Sequence, residues 1–136
     1  MSKRLTRQDI LDADDRQKEV LLIPEWGGEV IVRGLSATDR DDFESSLLTK
    51  NGKKRDINTY NVRAKLAVRC LVDDEGTPLF SIEDIQRLGL KSASALSRIF
   101  EVSQRLSGIG DQDVEELVKN SETDQSVVSN SASPSR

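Results

Sequence analysis

Two short apolar runs near the N-terminus give the clearest pattern in this chain. Glu19-Val20-Leu21-Leu22-Ile23 and Glu29-Val30-Ile31-Val32-Arg33 are apolar and largely branched, and they flank Pro24-Glu25-Trp26-Gly27-Gly28. Branched side chains suit a pleated strand and a Gly-Gly pair suits a reversal, so the segment predicts a β-hairpin. Upstream, Thr6 stands three residues before Asp9, a pairing that caps helix N-termini, and a short helix to about Ala13 is expected. Asp12, Asp14 and Asp15 crowd its end, where the helix dipole disfavours negative charge, and this keeps it short.

Helical spacing takes over after Gly34. Ser36, three before Asp39, predicts a helix from about Ala37 to Leu48, with Phe43 and Leu47 one turn apart on one face. Asn51-Gly52-Lys53-Lys54-Arg55 has the chemistry of a loop. A third helix is expected over about Asp56 to Leu71, on the stripe Tyr60, Ala64, Ala67 and Leu71 with Leu66 and Cys70 beside it. Asp73 to Pro78 predicts a tight turn, after which Leu79-Phe80 returns to the core. Ser81 with Asp84 predicts a further short helix ending at Gly89. The last strong helix, about Ala93 to Ser107, carries Leu96, Ile99, Phe100, Ser103 and Leu106 on one stripe, and Gly108 and Gly110 stop it. One or two helical turns are expected over Asp111 to Lys119, and from Asn120 on there is almost nothing to bury. The pattern therefore predicts an α+β fold: a mainly α-helical domain over residues 1–110 with an N-terminal β-hairpin, then an acidic, mostly disordered tail over residues 111–136.

Charge sharpens that division. The chain of 136 residues has a formal net charge of −4. Asp111, Asp113, Glu115, Glu116, Glu122 and Asp124 face only Lys119 and Arg136, so the tail carries the whole excess and residues 1–110 balance. Inside the balanced body, Lys50, Lys53, Lys54, Arg55, Arg63, Lys65 and Arg69 stand against Asp56 alone. Such a cluster attracts an anionic partner or an acidic tail.

Composition removes most chemistry. There is no histidine and a single cysteine, Cys70. The commonest general base and metal ligand is thus missing, and neither a Cys/His zinc site nor a Ser/His/Asp arrangement can be built within one chain. A lone cysteine forms no intrachain disulfide, and in this setting it reads as a small core hydrophobe. Met1 to Asp15 contains no apolar run, so neither a signal peptide nor a membrane anchor is expected there. The acidic turn at Asp73-Asp74-Glu75-Gly76 fails as a calcium loop: with Gly76 at the sixth position, Leu71 and Ile82 fall where ligands must stand. Gly27-Gly28 opens no helix and so makes no phosphate loop. No enzyme, cofactor or metal is expected. Nucleic-acid binding through residues 50–69 is the rival reading, since phosphate attraction to such a stretch is common. The acidic overall balance and the few aromatic residues available for stacking argue against it.

With these elements placed, the sequence resembles siphovirus-type phage tail assembly chaperones. The resemblance is carried by the run from Val20 through Pro24-Glu25-Trp26-Gly27-Gly28 to Leu35, then by Asn61-Val62-Arg63-Ala64-Lys65-Leu66 with Cys70-Leu71-Val72-Asp73. Gly76-Thr77-Pro78-Leu79-Phe80 and Lys91-Ser92-Ala93-Ser94-Ala95-Leu96 extend it, so that it spans roughly residues 5–108. The resemblance implies a role in virion assembly in the cytoplasm of the infected host, and absence from the finished particle. It implies binding to the tape measure protein, which is kept soluble while major tail protein polymerises around it. It further implies a longer, frameshifted form that recruits the major tail protein, this chain being the short form. Tape measure proteins are largely helical, so a groove between amphipathic helices is the expected receptor, completed by self-association into a homo-oligomer. Trp26 at the hairpin tip, Phe43 and Leu47, Leu96 and Phe100, and the basic loop Lys53-Lys54-Arg55 are the expected partner-binding residues. Phe43, Leu47, Leu96 and Phe100 also fit a purely structural role as core.

Overall fold

The computed structural model describes residues 2–51 and 54–110, with backbone alone at 50, 51 and 54–56. The fold is α+β. Helix α1, Arg7–Asp12, starts at the predicted capping box: the Asp9 amide donates to Thr6 Oγ1 at 3.1 Å and the Thr6 amide donates to Asp9 Oδ2 at 3.0 Å. None of its residues is buried. Strands β1, Lys18–Ile23, and β2, Gly28–Arg33, form the predicted antiparallel hairpin, with Val20 opposite Ile31 and Leu22 opposite Glu29. A single 3₁₀ turn, Pro24–Trp26, joins them and is closed by Gly27 in the left-handed region at φ 74°, a conformation that glycine adopts without steric cost.

Helix α2, Ala37–Ser46, is capped by Ser36 as predicted, but it ends two residues early. Residues Leu48–Asn51 (β3) and Lys54–Ile57 (β4) then form a second antiparallel hairpin where a helix end and a loop were expected. Asn51 pairs with Lys54 at the end of this ladder, and Leu48 pairs with Ile57 at the other. Consequently α3 is shorter than predicted, Val62–Cys70 rather than Asp56 to Leu71. Asn58 Oδ1 accepts from the Tyr60 amide at 2.9 Å, and Asn61 adopts φ 59° at the helix start. Both are local asparagine conformations that compete with helix. Tyr60 therefore lies outside the helix, 73% exposed, and Leu71 opens the short strand β5, Leu71–Val72.

β5 pairs with β2, giving a three-stranded antiparallel sheet in the order β1-β2-β5. The predicted turn follows. Asp73 Oδ1 accepts from the amides of Glu75 and Thr77, both at 2.9 Å, and the Leu79 amide returns to the Leu71 carbonyl at 3.0 Å. A 3₁₀ turn, Ile82–Asp84, leads into α4, Ile85–Leu88, which ends at Gly89 as predicted. Ser92 caps the long amphipathic helix α5, Ala93–Leu106, through the Ala95 amide.

One core joins these elements. α5 packs on α3 and against β1 and β2, while α2 and α4 pack on α3. Ile23, Val32 and Leu71 from the sheet meet Leu66, Ala67 and Cys70 of α3, Ile99 and Leu96 of α5, and Phe43 and Leu47. The acidic tail, residues 111–136, lies outside the described residues.

Candidate partner-binding surface

The hairpin tip is fixed to α5 by charge. Glu25 accepts two hydrogen bonds from Arg98, at 3.0 and 2.9 Å, and Ser94 Oγ lies 3.3 Å from the same guanidinium. Paired donors of this geometry match both carboxylate oxygens. The Arg98 guanidinium holds the Glu25 carboxyl well below its ordinary 4.5, at about 2. With the tip held, Trp26 stands at the mouth of a cleft of about 640 Å³, lined also by Phe80, Leu88 and Leu90, with Asp84, Arg87 and Lys91 around it. Leu90 is 86% exposed and Trp26 36%. Ile82 and Leu79, on the segment that leads to this cleft, are exposed as well. An aromatic ring, an exposed leucine and charged side chains together form a surface suited to another protein.

The other chemistry-bearing groups are used inwardly. Cys70 is fully buried, and burial pushes its thiol up to about 11, which leaves it an inert part of the core. Lys65 Nζ donates to the Ser46 carbonyl at 3.0 Å and Arg69 Nη1 to the Lys65 carbonyl at 2.6 Å. Desolvation lowers the pKa of both, and Asp42 and Asp39 offset part of the effect at Arg69. Of these cations of the basic stretch, Lys65 thus ties α3 to α2, and Arg69 bonds within α3. Among the described residues no group of three or more Cys, Asp or Glu side chains could hold a metal ion, and no helix is long and apolar enough to cross a membrane.

A sequence model of one family, described as phage tail assembly chaperone, matches residues 6–124. The chain belongs to that family. The solved structure of the bacteriophage HK97 tail assembly chaperone has a similar fold, with a TM-score of 0.53 and 16% identity, covering 76% of this chain and 95% of that one. No curated protein matches the sequence. The role of this tail assembly chaperone is therefore in phage tail assembly, and the family's role is not a catalytic one.

Of the expected partner-binding residues, the fold brings Trp26 to the cleft, while Phe43, Leu47, Leu96 and Phe100 lie in or against the core. Phe43, Leu47 and Leu96 are 3%, 2% and 4% exposed and belong to the core, so the folded single chain does not offer them to a partner. Phe100 is partly buried against that core. Lys54 and Arg55 lie on β4, and Lys53 lies outside the described residues. The physical reason is economy of apolar residues: with 35% hydrophobic and 4% aromatic composition, the amphipathic stripes are consumed in closing one core. Sequence reasoning missed Phe80, Leu88 and Leu90 as companions of Trp26. Leu90 carried a signal, since it stands between Gly89 and Lys91 and fits neither neighbouring helical stripe.

Proposed function

We propose that this tail assembly chaperone binds the tape measure protein of its phage, keeps it soluble, and assists polymerisation of the tail tube. It acts in the host cytoplasm, as a siphovirus-type late protein that leaves before the virion is finished. The major tail protein is engaged through a longer, frameshifted form. The observation that carries this reading is the Trp26 cleft, an apolar recess open to solvent in a member of this family. Its occupant is an amphipathic helix of the tape measure protein. Such a helix would lay its apolar face on Trp26, Phe80 and Leu90 and set acidic flanking residues against Arg87 and Lys91.

Co-expression with the tape measure protein tests the reading. The tape measure protein should be soluble and co-purify with this chain, and insoluble alone. Trp26→Ala should weaken the complex by about 2 kcal/mol, a loss of about 30-fold in affinity, with an unchanged circular dichroism spectrum. A tape measure protein that stays insoluble beside the wild-type chain, and forms no complex with it, would remove this function. Undiminished binding by Trp26→Ala would move the site away from the cleft.

A further inference from the structure

β1 is an edge strand, and its outer side is apolar: Val20 is 58% exposed and Leu22 59%. Edge strands ordinarily carry charge, proline or a bulge that deters pairing. Here Lys18 and Pro24 stand at the two ends, and Glu19 is taken up by Arg105 of α5. The direction of the unused backbone groups follows from the ladder. The Gly34 amide donates to the Gln17 carbonyl at 2.9 Å, continuing the register in which Lys18 faces Arg33. Bonded and non-bonded pairs alternate in an antiparallel ladder, so Glu19, Leu21 and Ile23 turn their N–H and C=O groups toward β2. Lys18, Val20 and Leu22 turn theirs to the free edge. Among the described residues no strand pairs with that edge.

We propose that this edge pairs with the same edge of a second copy of the chain, two antiparallel β1 strands meeting on a two-fold axis at Val20. In that register Val20 faces Val20 of the second copy and Lys18 faces Leu22. All three outward residues then exchange both of their backbone bonds. A pairing centred on Leu21 would set Lys18 opposite Pro24, which has no N–H to give. Side chains on the outer face agree with the same choice. Ile31 and Val20 of one copy run into Val20 and Ile31 of the other, an unbroken apolar row across four strands. On either side of it the Lys18 stem lies over Leu22 of the other copy, and Glu29, the cross-strand neighbour of Leu22, stands within reach of the ammonium. The antiparallel arrangement sets the cationic end of each hairpin beside the anionic end of the other, whereas a parallel one would set like beside like. The contact is self-complementary, as a two-fold dimer requires.

Analytical ultracentrifugation of the full chain over a concentration series tests this. The wild-type chain should reach twice its 15.1 kDa. Val20→Pro removes an amide that points away from β2, so it should yield the single mass with unchanged circular dichroism. A second design avoids any doubt about strand geometry. Leu22→Lys sets two cations against each other at both ends of the pairing and should raise the dimer dissociation constant about tenfold. Adding Lys18→Glu should bring it back to the wild-type range. A wild-type chain that stays at 15.1 kDa throughout overturns the proposal. So does a dimer that withstands both Val20→Pro and Leu22→Lys, or a double variant that fails to recover. The measurement needs no tape measure protein, so its outcome is independent of the function proposed above.

Discussion

Gly34 shows how much one residue can decide. It lies where the end of β2 meets the end of α5: the Leu35 amide donates to Ser107 Oγ at 2.9 Å, and Arg16 Nε donates to the Gly34 carbonyl at 2.9 Å. A Cβ on Gly34 would run into the Leu106 carbonyl, whose carbon is 2.9 Å away. Backbone cannot swing aside as a side chain does, so α5 would have to shift off the sheet. Gly34→Ala is expected to cost about 1–3 kcal/mol in urea unfolding, the range for overpacking. Gly28→Ala, where a Cβ meets nothing within 4 Å, should leave the midpoint nearly unchanged. Equal midpoints for the two variants would show that the helix end is free to yield. At this scale the sequence was legible wherever the cause is local. The caps at Thr6 and Ser36 and the turn at Asp73 depend on neighbours three or four residues away, and all form as read. The crowding at Gly34 depends on a residue 72 positions along the chain, and nothing local announces it.

The same limit governs whole elements. Both apolar strands of the first hairpin were legible because they are runs of branched apolar residues flanking a glycine pair. β3 and β4 were not, because Thr49-Lys50-Asn51 and Lys54-Arg55-Asp56 carry no apolar alternation, and Asn51-Gly52 reads equally as a loop. What holds the first hairpin's tip on α5 was equally out of sight: Glu25 and Arg98 are 73 residues apart in sequence. Their pairing predicts a pH response. Because the folded-state value for Glu25 lies at about 2, below the ordinary 4.5, its contribution is complete above 4.5 and is lost as pH falls through 2. Trp26 is the chain's single tryptophan and adjoins Glu25, so its emission reports the tip directly. On acidification from 4.5 toward 2 the wild-type emission should shift to the red, ahead of the loss of helical circular dichroism. Arg98→Gln should show much of that shift already at neutral pH. Superimposable titration curves for the two proteins would mean that the tip is held by something other than this pair.

For the molecule as a whole, charge is distributed unevenly in a way that residue counts reveal and packing does not. Residues 1–110 are electrically balanced, and the net −4 belongs to residues 111–136. Within the body, Lys65 is committed to the α2–α3 contact and Arg69 to a carbonyl of its own helix. The Lys53-Lys54-Arg55 run, whose last two residues open β4, is a concentrated source of positive charge in the sequence. Fields of this kind act before contact is made: they raise the rate of encounter with an anionic partner and fade as salt screens them within about 10 Å. Reversing the three charges to glutamate should therefore slow association with the tape measure protein by about tenfold at low ionic strength. The dissociation rate should hardly change, and the difference should vanish as salt is raised. This separates the run from the Trp26 cleft, where loss of contact should appear in the dissociation rate instead. If the reversed variant associates at the wild-type rate across the whole salt series, encounter is not steered by this hairpin. The apolar cleft alone would then have to account for recognition.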